Sequence, residues 1–234
     1  MKLATLEALN AAVAQRRASV LVAGLDDDSE RLVIDAPAPG DPLREELALQ
    51  LRRGKSALVE KDGRRYFLTV HVPPVKLVAI GAVHISQALI PLAELLGLEL
   101  IVVDPRTAFA TPERFGGVKL IADWPDEALP PLGVDRYTAF VALTHDPKID
   151  DPALVHALTR ECFYVGALGS RKTHAKRVER LRAAGLGEGE ISRVRAPIGL
   201  DIGAVSPAEI AVSIIAEITA ALRLESGEKK ARAA

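Results

Sequence analysis

Residues 75–106 read VKLVAIGAVHISQALIPLAELLGLELIVVDPR, and the fold follows from them. The run 77–80 is apolar, rich in branched residues and too short for a helix, which predicts a buried strand. Gly81 permits a tight turn. Ile85, Ala88, Leu89, Leu92, Leu95 and Leu96 then recur at the three-and-four spacing that lines one face of a helix. Gly97 ends that helix, and 98–103 is a second apolar strand closed by Asp104. Strand, glycine turn, helix, strand and acid make the first half of a dinucleotide-binding unit. Asp104 follows Gly81 at about the 20-residue interval expected of a ribose-binding carboxylate. A full fingerprint would read Gly-x-Gly-x-x-Gly/Ala, whereas this chain has Gly81-Ala82-Val83-His84-Ile85-Ser86. Val83 stands where a bare backbone normally approaches a pyrophosphate, which counts against ordinary NAD(P) binding but not against the fold.

Outward from this stretch the alternation continues. Strands are expected at 118–121, 139–143 and 163–165, with helices starting at Asp150-Asp151-Pro152 and spanning 173–184. A last helix opens on Ser206-Pro207-Ala208-Glu209, a capping box with proline in the first turn. Residues 75–224 therefore read as an α/β, Rossmann-like parallel sheet with flanking helices. Residues 1–74 read as a separate small α+β domain that Pro73-Pro74 closes. It has helices at 6–17 and 42–52, strands at 19–23, 31–34, 56–60 and 65–72, and a hairpin turn at Lys61-Asp62-Gly63. No catalytic constellation occurs in it. Residues 225–234 are charged and small, and are expected to form a disordered tail.

Composition narrows the function. The formal net charge of −1 lacks the basic footprint of a nucleic-acid binder. No apolar run reaches the roughly 18 residues of a membrane span, and no signal-peptide pattern is present, so a cytoplasmic address is expected. The single cysteine, Cys162, excludes an intrachain disulfide and a cysteine-based metal cluster. It reads as a small core residue rather than a nucleophile.

Polar and glycine residues cluster just after the expected strands. The clusters are Gly81 with His84, Asp104 with Arg106, Thr144-His145-Asp146, and the run 166–172. In a doubly wound sheet those ends meet at one edge, where ligands bind. A fifth cluster, 195–203, holds Gly199 and Asp201 in a long loop. Gly166, Gly169, Ser170, Arg171 and Lys172 read as an anion site made of turn amides and basic side chains, against the plainer reading of a turn with solvated charges. His145 suits an acid–base or ligand role, or a hydrogen bond to a neighbouring loop. Neighbours on a strand end diverge, so a His145–Asp146 dyad is not expected. His84 lies at a helix N-terminus, where a neutral donor is favoured. His71, His156 and His174 are expected at the surface. No residue is assigned a catalytic role and none a metal.

Three segments, THDPKIDDPAL (144–154), YVGALGSRKTHAKR (164–177) and APIGLDIGAVSPAEIAVSIIAEI (196–218), resemble the C-terminal domain of the XdhC/CoxI family. These are accessory proteins of xanthine dehydrogenase and related molybdenum hydroxylases. The resemblance covers 75 to about 224, although the family usually has Gly-Ala-Gly-His where this chain has Gly81-Ala82-Val83-His84. It implies a carrier that binds the molybdenum cofactor (molybdopterin) as cargo, supports its sulfuration by a cysteine desulfurase and delivers it to an apo-enzyme of the xanthine dehydrogenase type. A homodimer is expected. The cofactor-binding residues carried over are Gly81, His84, Asp104, Thr144, His145, Asp146, Gly166, Gly169, Ser170, Arg171, Gly199 and Asp201. Residues 1–74 lack the glycine-, proline- and arginine-containing and glycine–cysteine segments of longer members, which implies weaker binding or the need for a partner protein. The alternative on the same sheet is an NAD(P)-dependent oxidoreductase, with Asp104 on the ribose and His145 as acid. The absence of a Tyr-x3-Lys pair counts against it.

Overall fold

The computed structural model describes residues 2–224, so the expected tail at 225–234 lies outside the described residues. The chain falls into two compact units that divide between Pro73 and Pro74.

The first unit runs α1 (Leu3–Ala14), β1 (Ser19–Gly24), β2 (Glu30–Ile34), α2 (Arg44–Arg53), β3 (Ala57–Lys61) and β4 (Arg64–His71). Its four strands form an antiparallel sheet in the order β2-β1-β4-β3. Asp62 and Gly63 both have positive φ, as a two-residue turn matched to strand twist requires, and they fix the β3–β4 register. Val20, Val22 and Leu68 pack with Leu43 and Leu47 as a small core of its own.

The second unit runs β5 (Lys76–Ile80), α3 (His84–Leu95), β6 (Glu99–Val103), β7 (Lys119–Ile121), α4 (Pro125–Ala128), β8 (Thr138–Ala142), α5 (Pro147–Thr159), β9 (Tyr164–Ala167), α6 (Arg171–Ala183), α7 (Glu188–Ile191), β10 (Val194–Arg195) and α8 (Pro207–Arg223). All six strands are parallel, in the order β10-β9-β8-β5-β6-β7. Numbered from β5 as the first, this is the 3-2-1-4-5-6 order of the doubly wound fold, with its switch point between β5 and β8. Strands buried on both faces need apolar residues at every position, and β5 and β8 are buried throughout. Alternate residues of the strands feed two cores. Val78, Ile80, Phe140 and Ala142 pack against α5, whereas Leu77, Ala79, Ala139 and Val141 pack against α3 and α8.

Several boundaries differ from the sequence reading, each for a local reason. Helix α5 starts at Pro147 rather than at Asp150, because the Asp146 carboxylate accepts the Lys148 N–H at 2.9 Å and caps it there. Helix α6 starts at Arg171 because Ser170 Oγ accepts the Thr173 N–H. Strand β9 runs on through Gly166 and Ala167, which pair with Val141 and Ala142, so Gly166 is a strand residue and not part of the loop. The buried face of α3 is Ile85, Ser86, Leu89 and Ala93. Leu95, expected on it, is 82% exposed because it stands two residues, about 200°, around the helix from Ala93. Leu96 is also exposed. The short elements α4, α7 and β10 were not legible as periodicity.

Candidate functional site

The loops after β5 and β8 meet at the switch point. Gly81 has φ +114°, and a Cβ on it would lie 2.9 Å from Thr144 Cγ2, so these two turns touch and only glycine fits. Asp104, at the end of β6, is fully buried. Its Oδ2 accepts the Ala82 N–H at 2.7 Å and Arg106 Nη2 at 2.7 Å, while Oδ1 accepts the Arg106 N–H and Nε, each at 2.9 Å. Burial alone would raise its carboxyl, but Arg106 and the two backbone donors outweigh this and hold it below the usual carboxylate range. Asp104 thus ties the glycine turn to β6, and both oxygens already have protein partners. Arg114 closes the same turn from the other side, donating to the carbonyls of Ala82 at 3.1 Å and Phe109 at 2.8 Å and to Gln87 Oε1 at 2.9 Å. His84 is the first residue of α3 and is exposed.

Thr144-His145-Asp146 is organised by a residue outside the predicted set. Asp150 is 1% exposed. Its Oδ1 accepts the Thr144 hydroxyl at 2.7 Å, and its Oδ2 accepts the His145 N–H at 3.1 Å. Burial raises the Asp150 carboxyl against these hydrogen bonds. The anchored turn puts His145 in the left-handed region, φ +64°, which is uncommon for a residue with a side chain and is held here by its neighbours. Asp146 caps α5 and does not pair with the imidazole.

A cleft of about 450 Å³ opens beside this turn, and it brings together five of the predicted residues: His145, Gly169, Arg171, Gly199 and Asp201. Leu168, Ile198, Leu200 and Ile202 give it apolar walls. Its outer wall, the 196–203 loop, is latched by Glu217 of α8. The Glu217 carboxylate accepts the Gly199 N–H at 2.9 Å and the Tyr164 hydroxyl at 2.7 Å. Burial, then the Glu217 charge, pushes the Tyr164 phenol well above its ordinary value, so it stays a donor. Gly199 has φ +88° and its Cβ would lie 2.2 Å from Ser213 Oγ, so only glycine brings the loop this close to α8. Gly166 plays the same part on the sheet, where a Cβ would lie 2.6 Å from the Ile198 side chain.

The remaining predicted residues, Gly81, His84, Asp104, Thr144, Asp146, Gly166 and Ser170, do not line this cleft. Thr144, Asp146 and Ser170 shape the turns that present those that do. Sequence reasoning read Asp150 as a helix start rather than as the anchor of this turn, and it missed Arg114 and Glu217. Only Glu217 had a signal, as a lone acid between Ile214, Ile215 and Ile218 on an apolar helix. His71, His156 and His174, expected at the surface, are half-buried, and burial pulls the imidazoles of His156 and His174 down. Among the described residues no three His, Cys, Asp or Glu side chains gather as a metal site, and no helix is long and apolar enough to cross a membrane.

The model of the XdhC Rossmann domain matches residues 77–218. A probable xanthine dehydrogenase subunit of Bacillus subtilis (strain 168) is 34% identical over 147 residues, which are 62% of this chain and 42% of that protein. The molybdenum cofactor insertion chaperone PaoD of Escherichia coli (strain K12) is 37% identical over 95 residues, 41% of this chain and 30% of PaoD. The chain thus spans less than half the length of either relative. A crystal structure of a xanthine dehydrogenase from Bacillus halodurans matches with a TM-score of 0.64 at 21% identity, over 93% of this chain and 63% of that one, which is a likeness of fold.

Proposed function

The chain belongs to the XdhC Rossmann domain family, and on that premise we propose that it carries molybdenum cofactor as cargo to an apo molybdenum hydroxylase of the xanthine dehydrogenase type. The observation that carries the reading is the 450 Å³ cleft, formed by the segments 144–154, 164–177 and 196–218 at the carboxyl edge of the sheet. The cargo is a pterin with a phosphate and an electron-rich dithiolene, and the donor set fits it. Arg171 offers a guanidinium for the phosphate, the exposed Asp201 accepts N–H groups at the ring edge, and Ile198, Leu200 and Ile202 suit the flat ring faces. The name of the Escherichia coli relative, a cofactor insertion chaperone, supports the same reading. Cys162 is 1% exposed and burial pushes its thiol up to about 12, which supports sulfuration by a separate cysteine desulfurase rather than through a persulfide on this chain.

The strand order is also that of dinucleotide-binding domains, which keeps an NAD(P) oxidoreductase in view. The acid that would take the ribose, Asp104, is instead buried with both oxygens engaged. One experiment decides between the two. The full chain is expressed in a host that makes molybdenum cofactor, purified without oxygen, and assayed for pterin by oxidation to its fluorescent derivative and for metal. Near-stoichiometric pterin that falls at least tenfold in Arg171→Ala and Asp201→Ala is the expected result. A retained nicotinamide nucleotide with no pterin overturns it.

A further inference from the structure

A second cavity, of about 300 Å³, shares His145 with the first but lies between α5 and α6. Its lining is basic: Lys172, Lys176, Arg177 and Arg180, with Thr173, against the single carboxylate of Asp150. Arg177 is 2% exposed. Its Nη2 donates to the Leu168 carbonyl at 2.9 Å, but Nε and Nη1, both buried, have no hydrogen-bond partner. A guanidinium remains protonated at neutral pH even though burial lowers its proton affinity, so a charged donor stands here with acceptors missing. Buried polar groups are nearly always paired, and each exception asks for an explanation.

The neighbouring carboxylates do not supply one. Asp150 attracts Arg177 electrostatically, but its oxygens accept from Thr144 and His145. Asp151 is paired with Arg180. Lys172 and Lys176 are exposed and have no carboxylate partner among the described residues. Lys172 also lies in the first turn of α6, a 13-residue helix, where backbone N–H groups lack intrahelical acceptors and the dipole is positive. The missing counterpart is an anion with several acceptor oxygens and more than one negative charge.

We propose that this cavity binds a phosphate group, free or as a monoester, over the Arg177 guanidinium and between Lys172 and Lys176. The site is separate from the pterin cleft, and the inference does not depend on what fills that cleft. In the test, the full chain prepared without cofactor is titrated with inorganic phosphate and with glycerol 2-phosphate by calorimetry at constant ionic strength. One site per chain is expected, with affinity reduced at least tenfold in Lys172→Ala/Lys176→Ala, whose side chains are exposed and whose loss leaves the core intact. Tighter binding of the ester identifies an esterified ligand, and equal or tighter binding of inorganic phosphate identifies the free ion. Either supports the pocket. No saturable binding of either compound, or binding that the double variant leaves unchanged, overturns it. Pterin retention measured on the same double variant separates this outcome from failure of the carrier reading, which Arg171 and Asp201 test.

Discussion

His145 holds an unfavourable backbone conformation so that its imidazole can line two cavities. Glycine adopts that conformation without the steric cost. His145→Gly is therefore expected to leave unfolding stability unchanged or raise it by up to about 1 kcal/mol, while pterin retention falls. Urea unfolding beside the fluorescence assay checks this, and a loss of stability would contradict the strain argument. Asp104 makes a pH-dependent contribution. Its folded-state carboxyl lies below the ordinary value of about 3.9, so the unfolded chain binds the proton more readily in acid. The stabilisation is complete above that ordinary value and is lost as pH falls through the folded one. Asp104→Asn is expected to lower the urea midpoint at pH 7, and its gap from the parent protein is expected to narrow as pH falls below about 3.9. At this scale five of the twelve predicted residues could be read to the candidate cleft, because polar and glycine residues stand out after apolar strands. The engagement of Asp104 could not be read, because its partners are a near neighbour and a backbone N–H from the preceding strand's turn.

The helices show where periodicity is a reliable guide and where it fails. The capping box at the start of α8 is read straight from Ser206 and Glu209, since both bonds are local: Glu209 accepts the Ser206 N–H at 2.8 Å, and Ser206 Oγ accepts the Glu209 N–H at 3.3 Å. The face of α3 is set by contact with α8 and the sheet, and a run of leucines does not say which of them point there. Leu89→Ala, in that core, is expected to cost about 2–5 kcal/mol, whereas Leu95→Ala should stay within about 0.5 kcal/mol. Chemical denaturation of the two variants checks the assignment directly. The elements missed altogether, α4, α7 and β10, have two to four residues, about one period of the helix or strand pattern and too few for a repeat to show.

Each of the two units has its own core. The second supplies every residue of both cavities, and its sheet alternates strand and helix as the sequence reading expected. A fragment beginning at Pro74 is therefore expected to unfold in one cooperative transition and to keep phosphate affinity within about threefold of the full chain, a difference of roughly 0.6 kcal/mol. The first unit, whose core cluster among the described residues has six buried hydrophobic side chains, is expected to be marginal when isolated. Calorimetric melts of both fragments test this pair of outcomes. The Glu217 latch has a consequence for how the protein comes into being. Synthesis proceeds from the N-terminus, so the strands and His145 emerge well before α8 does. Until Glu217 follows, the Gly199 amide has no carboxylate to hold it and the outer wall of the cleft is open. A nascent or nicked chain that stops short of α8 therefore lacks the carboxylate that holds this wall, and the compartment is finished only once the chain runs through that helix.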